Sequence, residues 1–321
     1  MSEEHVVKDK QKVLFIGGLG RSGSTLIERL LNEYPATFAI GESVHVWERG
    51  LRDNELCGCG ETFSECQFWS EVGRRAFGDW SEVDAARVID MRWDIDRTRK
   101  MPEFVRAHRG KVLPAAHADY LELIGAVLVA AGELAKERTG ADIIIDSSKH
   151  ISSAVLYSLD ERLDVRVLHV LRDPRGVAYS WTKEIARPEA TGGEMTEMPQ
   201  YSPARTAGRW VTDNTMFAQL GRLGVPTLRL RYEDFLSDSL GSLRTIAEFA
   251  GIDPPTLPDG IFDGASGVLT TTMHSAAGNP MRFGNANITL RLDDAWRTKL
   301  PASQRRLVSV VTAPARRVFG Y

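Results

Sequence analysis

The stretch that decides the fold is residues 13–33, VLFIGGLGRSGSTLIERLLNE. It opens with an apolar run that ends in glycines, a pattern typical of a buried strand followed by a turn. From residue 24 to 33 apolar side chains recur at helical spacing, and Tyr34-Pro35 would end such a helix. A strand, a glycine-rich turn and a helix in this order predict a loop whose backbone amides bind an anion.

Apolar runs alternate with helical patterns along the rest of the chain. A second buried strand is predicted at residues 142–146, and further strands at 165–171 and 227–230. Helices are predicted after each of them: Ser147-Ser148 as a cap, Asp173-Pro174 as a helix start, and residues 237–251 as a helix. This alternation predicts an α/β fold, a P-loop-NTPase-like parallel sheet flanked by helices on both faces.

The chain is predicted to form one domain over residues 1–321, and the remaining segments are predicted to be insertions and loops of that domain. Residues 67–140 are rich in helix formers and form a helical insertion, with the longest helix at 115–138. Residues 187–203 carry Gly, Pro and Glu and are predicted to be a mobile insertion that acts as a lid. Residues 36–66 and the tail at 264–288 are expected to be irregular.

Composition excludes several classes of protein. The chain has 321 residues, is 43% hydrophobic and carries a net charge of −3, which fits a globular protein and argues against a dedicated nucleic-acid binder. Its charged first residues do not resemble a signal peptide, and no apolar run is long enough to span a bilayer. Three cysteines are too few for a secreted disulfide scaffold, so we expect a cytoplasmic protein with reduced thiols.

The glycine-rich turn departs from a nucleotide-triphosphate loop at one position. Gly18 to Thr25 has Walker A spacing, but Ser24 stands where that motif has lysine, and Arg21 is the cation of the loop. An arginine without the lysine suits a group whose transfer needs no metal. Asp146 ends a strand of Walker B character and keeps a second hypothesis open, a P-loop kinase that uses ATP and magnesium. A non-catalytic nucleotide-binding protein is the third hypothesis.

Three motifs in order resemble those of sulfotransferases that use 3'-phosphoadenosine 5'-phosphosulfate (PAPS). RSGSTLIERLLNEYP at 21–35 is similar to their 5'-phosphosulfate loop, in the form of the carbohydrate and tyrosylprotein branches. VRVLHVLRDPRGVAYSW at 165–181 resembles their 3'-phosphate motif, and LRYEDF at 230–235 resembles a strand-end segment. The glycine-rich Trp-Lys signature of the phenol and steroid branch is absent.

The resemblance implies a sulfotransferase that moves a sulfuryl group from PAPS to a hydroxyl of a small molecule, namely an alcohol, phenol, sugar or lipid. The second product is PAP, the donor without its sulfuryl group. It also implies a C-terminal loop that covers the cofactor, within the tail at 264–288. The loop composition, the net charge and the short apolar runs predict no metal, no nucleic acid and no stable membrane insertion. The expected cofactor contacts are Gly20, Arg21, Ser22, Gly23, Ser24, Thr25, Arg172, Ser180, Tyr232, Ser275, Asn279 and Arg282.

Four residues are expected to carry the chemistry. Glu42, in a Gly-Glu pair after the first helix, resembles the catalytic base of the tyrosylprotein branch, and His45 is the alternative base. Lys149 follows a buried strand, where open parallel sheets place their sites. We predict that Lys149 and Arg21 stabilise the bridging oxygen of the leaving group.

The cysteines allow two interpretations. Cys57, Cys59 and Cys66 could bind zinc, with His45 as the fourth ligand. The chain has three thiols and their spacing is not C-x2-C, so free thiols are favoured and no metal site is predicted.

Overall fold

The structure is a computed structural model that describes residues 9–95, 97–187, 197–283 and 287–321. Its centre is a five-stranded parallel sheet. Its strands lie in the order β2-β3-β1-β4-β5. Their bounds are β1 (Gln11–Gly17), β2 (Thr37–Gly41), β3 (Ile143–Lys149), β4 (Leu163–Leu171) and β5 (Thr227–Arg231). Because all neighbours are parallel, the carboxyl ends of the strands meet at one edge, where open sheets bind ligands.

Helices connect the strands and cover the sheet. They are α1 (Ser24–Leu31), α2 (Gln67–Phe77), α3 (Ala85–Ile95), α4 (Met101–His108), α5 (Ala115–Thr139), α6 (Ile151–Tyr157), α7 (Pro174–Ser180), α8 (Pro203–Phe217), α9 (Tyr232–Ser237), α10 (Ser239–Ala250), α11 (Trp296–Lys299) and α12 (Ala302–Phe319). An antiparallel pair, β6 (Ser266–Val268) and β7 (Asn287–Thr289), lies in the tail. None of the helices described is long and apolar enough to cross a membrane.

The sheet separates two apolar cores. Successive side chains of a strand point to opposite faces, so Val13 and Phe15 of β1 enter one core, and Leu14 and Ile16 enter the other. The first core contains residues of α2, α5 and α6, and the second contains residues of α1 and α10. Burial on both faces confirms the predicted α/β sheet and explains the apolar runs in its central strands. The edge strand β5 differs, since it alternates Leu with Arg and is only partly buried.

The four predicted strands and the helices at their ends are confirmed, and two local predictions are wrong. Residues 36–66 are not irregular throughout, because Thr37–Gly41 forms β2 with all its residues buried. Ser147-Ser148 does not cap a helix: β3 runs on to Lys149, and the N-cap position of α6 is held by His150, whose side chain makes no capping hydrogen bond. The predicted mobile lid falls mostly on residues 188–196, which lie outside the described residues, and its last residue, Pro203, begins α8.

Candidate active site

The loop between β1 and α1 has the shape of an anion cradle. Gly18, Arg21 and Gly23 all have positive φ, at 126°, 74° and 92°. A Cβ on Gly23 would lie 2.4 Å from ring carbons of Tyr232, so only glycine lets the loop approach that ring. The Ser22 hydroxyl donates to the Leu19 carbonyl at 2.7 Å and closes the turn. The loop leads directly into Ser24 and Thr25, the buried first residues of α1.

Trp181 holds the cation of this loop in place. The Arg21 guanidinium lies 5.1 Å from the centre of the Trp181 ring, and the indole Nε1 donates to the Gly20 carbonyl at 3.0 Å. The Arg21 Nε is buried and finds no hydrogen-bond partner among the described residues. Burial lowers the pKa of Arg21, although the Glu42 carboxylate partly opposes this. The geometry leaves donor capacity of Arg21 for an anion.

Arg172 joins the second and third motifs to the loop. It is buried at the end of β4, and its Nη1 donates to the Arg21 carbonyl at 3.1 Å. Its guanidinium lies 5.1 Å from the Tyr232 ring centre and also contacts Asp293, with Nη2 donating to the carbonyl at 3.1 Å. Ser180 is buried at the end of α7. The three motifs therefore meet at one edge of the sheet.

A buried ion pair lies beside the loop. Lys149 Nζ is 2.5 Å from Glu42 Oε1, and the two side chains are only 14% and 15% exposed. The Lys149 carbonyl accepts a hydrogen bond from Gly18 N at 3.4 Å, which places the pair at the start of the loop. Burial by itself would raise the pKa of Glu42, but the Lys149 ammonium outweighs it and holds the pKa below its usual range.

His45 lies on the other side of the same carboxylate. Its Nε2 is 3.6 Å from Glu42 Oε2. Burial and the nearby cation of Arg92 lower the pKa of His45 well below its usual value. At neutral pH the carboxylate is ionised and the imidazole is neutral, so each is chemically able to accept a proton.

Two further buried carboxyl groups support this edge. Glu28 of α1 accepts a hydrogen bond from Ser147 at 2.7 Å, and burial raises its pKa to about 7. Asp146 accepts from the Ser43 hydroxyl and from Ser148 N, the latter at 2.7 Å. Burial raises the pKa of Asp146 to about 6. The Asp146 oxygens are thus occupied inside the protein, so this residue fixes β3 against the segment that carries Glu42.

The tail lies on the Glu42 side of the site. Ser275 is buried, and a Cβ on Gly41 would lie 2.4 Å from its Cβ. Arg282 donates from Nη1 to the Gly278 carbonyl at 2.9 Å, and Asn279 accepts from Met281 N at 3.0 Å. These contacts fasten the tail to the strand end and to itself, and the role of its polar residues in cofactor binding stays a prediction.

The sequence reasoning assigned no role to Glu28, Trp181 or Asp293. Glu28 and Trp181 lie within the first and second motifs, whereas Asp293 lies outside all three, 121 positions from Arg172. The proposed fourth metal ligand was also wrong. His45 contacts Glu42, and the ring that lies among the three cysteines is His274.

Comparison with known proteins points to one family. A model described as "Sulfotransferase family" matches residues 14–256. Carbohydrate sulfotransferase 6 of Homo sapiens is 26% identical over 329 residues, covering 94% of this chain and 78% of the human protein. Carbohydrate sulfotransferase 7 of Rattus norvegicus is 24% identical over 386 residues, covering 99% and 75%.

A solved structure shares the architecture. The sulfotransferase domain from the Synechococcus PCC 7002 olefin synthase has a TM-score of 0.50 and 21% identity, over 98% of this chain and 96% of that chain. This likeness confirms the α/β fold with a parallel central sheet.

Proposed function

Because this chain belongs to the sulfotransferase family, we propose that it transfers a sulfuryl group from PAPS to a hydroxyl of a small-molecule acceptor. The observation that carries the proposal is the Glu42–Lys149 pair beside a phosphate-type loop whose cation is Arg21. It supplies a base and two cations at one place, and these are the groups that an in-line displacement at sulfur requires.

The donor is proposed to lie along the carboxyl edge of the sheet. The amides of Gly20 to Thr25 and the start of α1 face the 5'-phosphosulfate. Arg172 and Ser180 would bind the 3'-phosphate, the arginine through its fork of donors. The contact between Arg172 and Asp293 would then be exchanged for the stronger charge-assisted contact with phosphate.

The chemical step follows from the ion pair. The acceptor oxygen forms a bond to sulfur while the bond between sulfur and the bridging oxygen breaks, and its electron pair stays on the 5'-phosphate of PAP. Glu42 takes the acceptor proton, with His45 as the alternative base. Lys149 and Arg21 donate hydrogen bonds to the bridging oxygen as its charge develops.

A kinase reaction is less well supported. Magnesium in P-loop enzymes is held in part by a carboxylate after a strand. The residue in that position, Asp146, is fully buried, and its oxygens accept hydrogen bonds from Ser43 and Ser148. We therefore propose transfer without magnesium. We also propose the cytoplasm as its location, because thiols such as those of Cys57, Cys59 and Cys66 stay reduced there.

Carbohydrate hydroxyls are the acceptors to test first. Two relatives that cover most of this chain are named carbohydrate sulfotransferases. Helices α2 to α5 are the proposed walls of the acceptor pocket.

The test combines ligand binding with group transfer. Thermal unfolding is recorded with PAP, with ATP and magnesium, and without ligand, since a native-state ligand at a hundredfold excess over Kd adds about 2.7 kcal/mol of stability. We expect stabilisation by PAP, and transfer of label from sulfur-labelled PAPS to a panel of sugars, phenols and alcohols without added magnesium. Stabilisation by ATP and magnesium alone would refute the proposal.

Matched variants locate the reaction. Glu42→Gln and Lys149→Met are expected to abolish most of the transfer while PAP binding persists. Glu137→Gln and Lys136→Met serve as the controls for the same chemical changes, since both residues are exposed and each has an ion-pair partner of its own, Arg75 and Asp142. Full turnover in both site variants would contradict the assigned roles.

A further inference from the structure

Four side chains that commonly ligate transition metals converge near the end of β2. Cys57, Cys59, Cys66 and His274 each present one ligand atom, and these atoms all lie within 4.8 Å of one another. Cys59 Sγ is 3.7 Å from Cys66 Sγ, and His274 Nδ1 is 3.3 Å from Cys66 Sγ and 3.9 Å from Cys57 Sγ. Three ligands come from one loop, and the fourth comes from the tail.

The three distances of 3.7, 3.3 and 3.9 Å are close to the edges of a tetrahedron around one small ion. Zinc bonds of about 2.3 Å to sulfur and about 2.0–2.1 Å to nitrogen give S–S edges of about 3.8 Å and S–N edges of about 3.6 Å. The three distances fall within about 0.4 Å of those edges. The 3.7 Å between Cys59 and Cys66 is far beyond a disulfide bond, and all three cysteines are free.

The surrounding packing holds the ligands in position. The His274 ring stacks on the rings of Phe68 and Phe38, with centre-to-centre distances of 5.1 and 5.8 Å. The backbone carbonyl of His274 accepts a hydrogen bond from Trp69 Nε1 at 2.9 Å. In the loop, Cys57 N donates to the Glu61 carbonyl at 2.8 Å, which closes the turn that carries two of the thiols. The site is therefore organised by contacts that do not involve the ion.

We propose that Cys57, Cys59, Cys66 and His274 bind one zinc ion as a structural site. Three thiolates and one neutral imidazole complete a tetrahedron, so no position remains for water or substrate, as is typical of structural rather than catalytic zinc. The thiols release their protons to solvent when the ion binds. Soft sulfur donors favour zinc over magnesium or calcium.

The ion joins the cysteine loop to the segment that supports the proposed base. Gly58 N donates to the Ser275 carbonyl at 3.1 Å, and Ala276 N donates to the Ile40 carbonyl at 3.1 Å. Glu42 N in turn donates to the Ala277 carbonyl at 3.1 Å. Zinc bound at His274 would thus hold the cysteine loop against the backbone that contacts Glu42.

Metal content of the full chain tests the site. The protein is purified under reducing conditions from zinc-supplemented cells, and its metal content is measured by inductively coupled plasma mass spectrometry. We expect about one zinc ion per chain. His274→Ala and Cys66→Ser are expected to lose most of it, whereas His108→Ala, a control whose ring contacts Ser158 on another part of the surface, retains it.

A second measurement uses the unaltered chain, because a ligand variant could fail to fold. A mercurial reagent is titrated into the purified protein with a zinc indicator present, and zinc release should follow the blocking of the thiols. Cobalt added to metal-stripped protein should show the thiolate charge-transfer bands of tetrahedral coordination. A wild-type protein without zinc that also fails to bind cobalt would overturn the proposal, as would full zinc content in both ligand variants.

Discussion

Removing the charge of Lys149 tests the proposed base directly. In Lys149→Met, the Glu42 carboxylate loses a cation at 2.5 Å while it stays largely buried. Arg49 and His150 still favour its ionised form, but their electrostatic effect on the pKa of Glu42 is weaker than that of Lys149. We therefore expect the pKa of Glu42 to rise, and the acidic limb of the pH–rate profile to move to higher pH.

The structure sets the size of the effect on stability. Removing one partner of a buried pair destabilises a protein by about 3–5 kcal/mol. Since other cations remain near Glu42, we expect a loss of about 3 kcal/mol for Lys149→Met. In the double variant with Glu42→Gln no uncompensated charge is left, so its loss should be smaller than the sum of the single losses by about 2 kcal/mol. Turnover should stay at or below that of the worse single variant.

The assay is urea unfolding of the four proteins at pH 7, paired with initial rates of label transfer. Neutral pH is chosen because the pKa of Glu42 is depressed in the folded state. Its stabilising contribution is present above the ordinary carboxylate pKa and is lost as pH falls through the folded value. Loss of the base is expected to lower turnover by about 10²–10⁴-fold.

Two results would refute this reasoning. Stability losses that add within about 0.5 kcal/mol would mean that the pair is not coupled in solution. Wild-type turnover in Lys149→Met, with an unmoved acidic limb, would mean that the lysine neither tunes Glu42 nor assists the leaving group.

Three further changes probe the loop, the 3'-phosphate site and the buried carboxyl. Gly23→Ala places a Cβ against the Tyr232 ring at positive φ and should abolish PAP binding. Gly140→Ala is the control, because Gly140 has a similar φ of 79° but no atom within 4 Å of the added Cβ, so PAP binding should persist. Equal PAP affinities of the two variants by calorimetry would contradict this. Arg172→Met should weaken PAP binding by about 2–3 kcal/mol and leave 5'-AMP unaffected, since only PAP has a 3'-phosphate; an equal loss for both nucleotides would argue against the assignment. The pKa of Glu28 is raised from 4.5 to about 7, so the folded state binds the proton more tightly than the unfolded chain does. The free energy of unfolding should therefore fall by about 3 kcal/mol as the pH rises from 4.5 to 7. Glu28→Gln should flatten this slope in urea titrations, and an unchanged slope would count against it.

The sequence by itself determined the frame of the site. Residues 13–33 predicted a strand, an anion-binding turn and a helix, and β1, the loop and α1 follow that plan. Such patterns are readable because they depend on neighbours within one or two turns. β2 was missed because its five residues, all buried, show no alternation that separates a short strand from a loop.

Only the tertiary structure decided which chemical groups meet. Glu42 and Lys149 are 107 positions apart and become partners because β2 and β3 are neighbours in the sheet. His274, rather than His45, joins the cysteines because the tail returns beside β2, 208 positions after Cys66. Local patterns report which residues form a strand or helix, whereas strand order and the return of a distant segment depend on packing of the whole chain, which no local window of sequence contains.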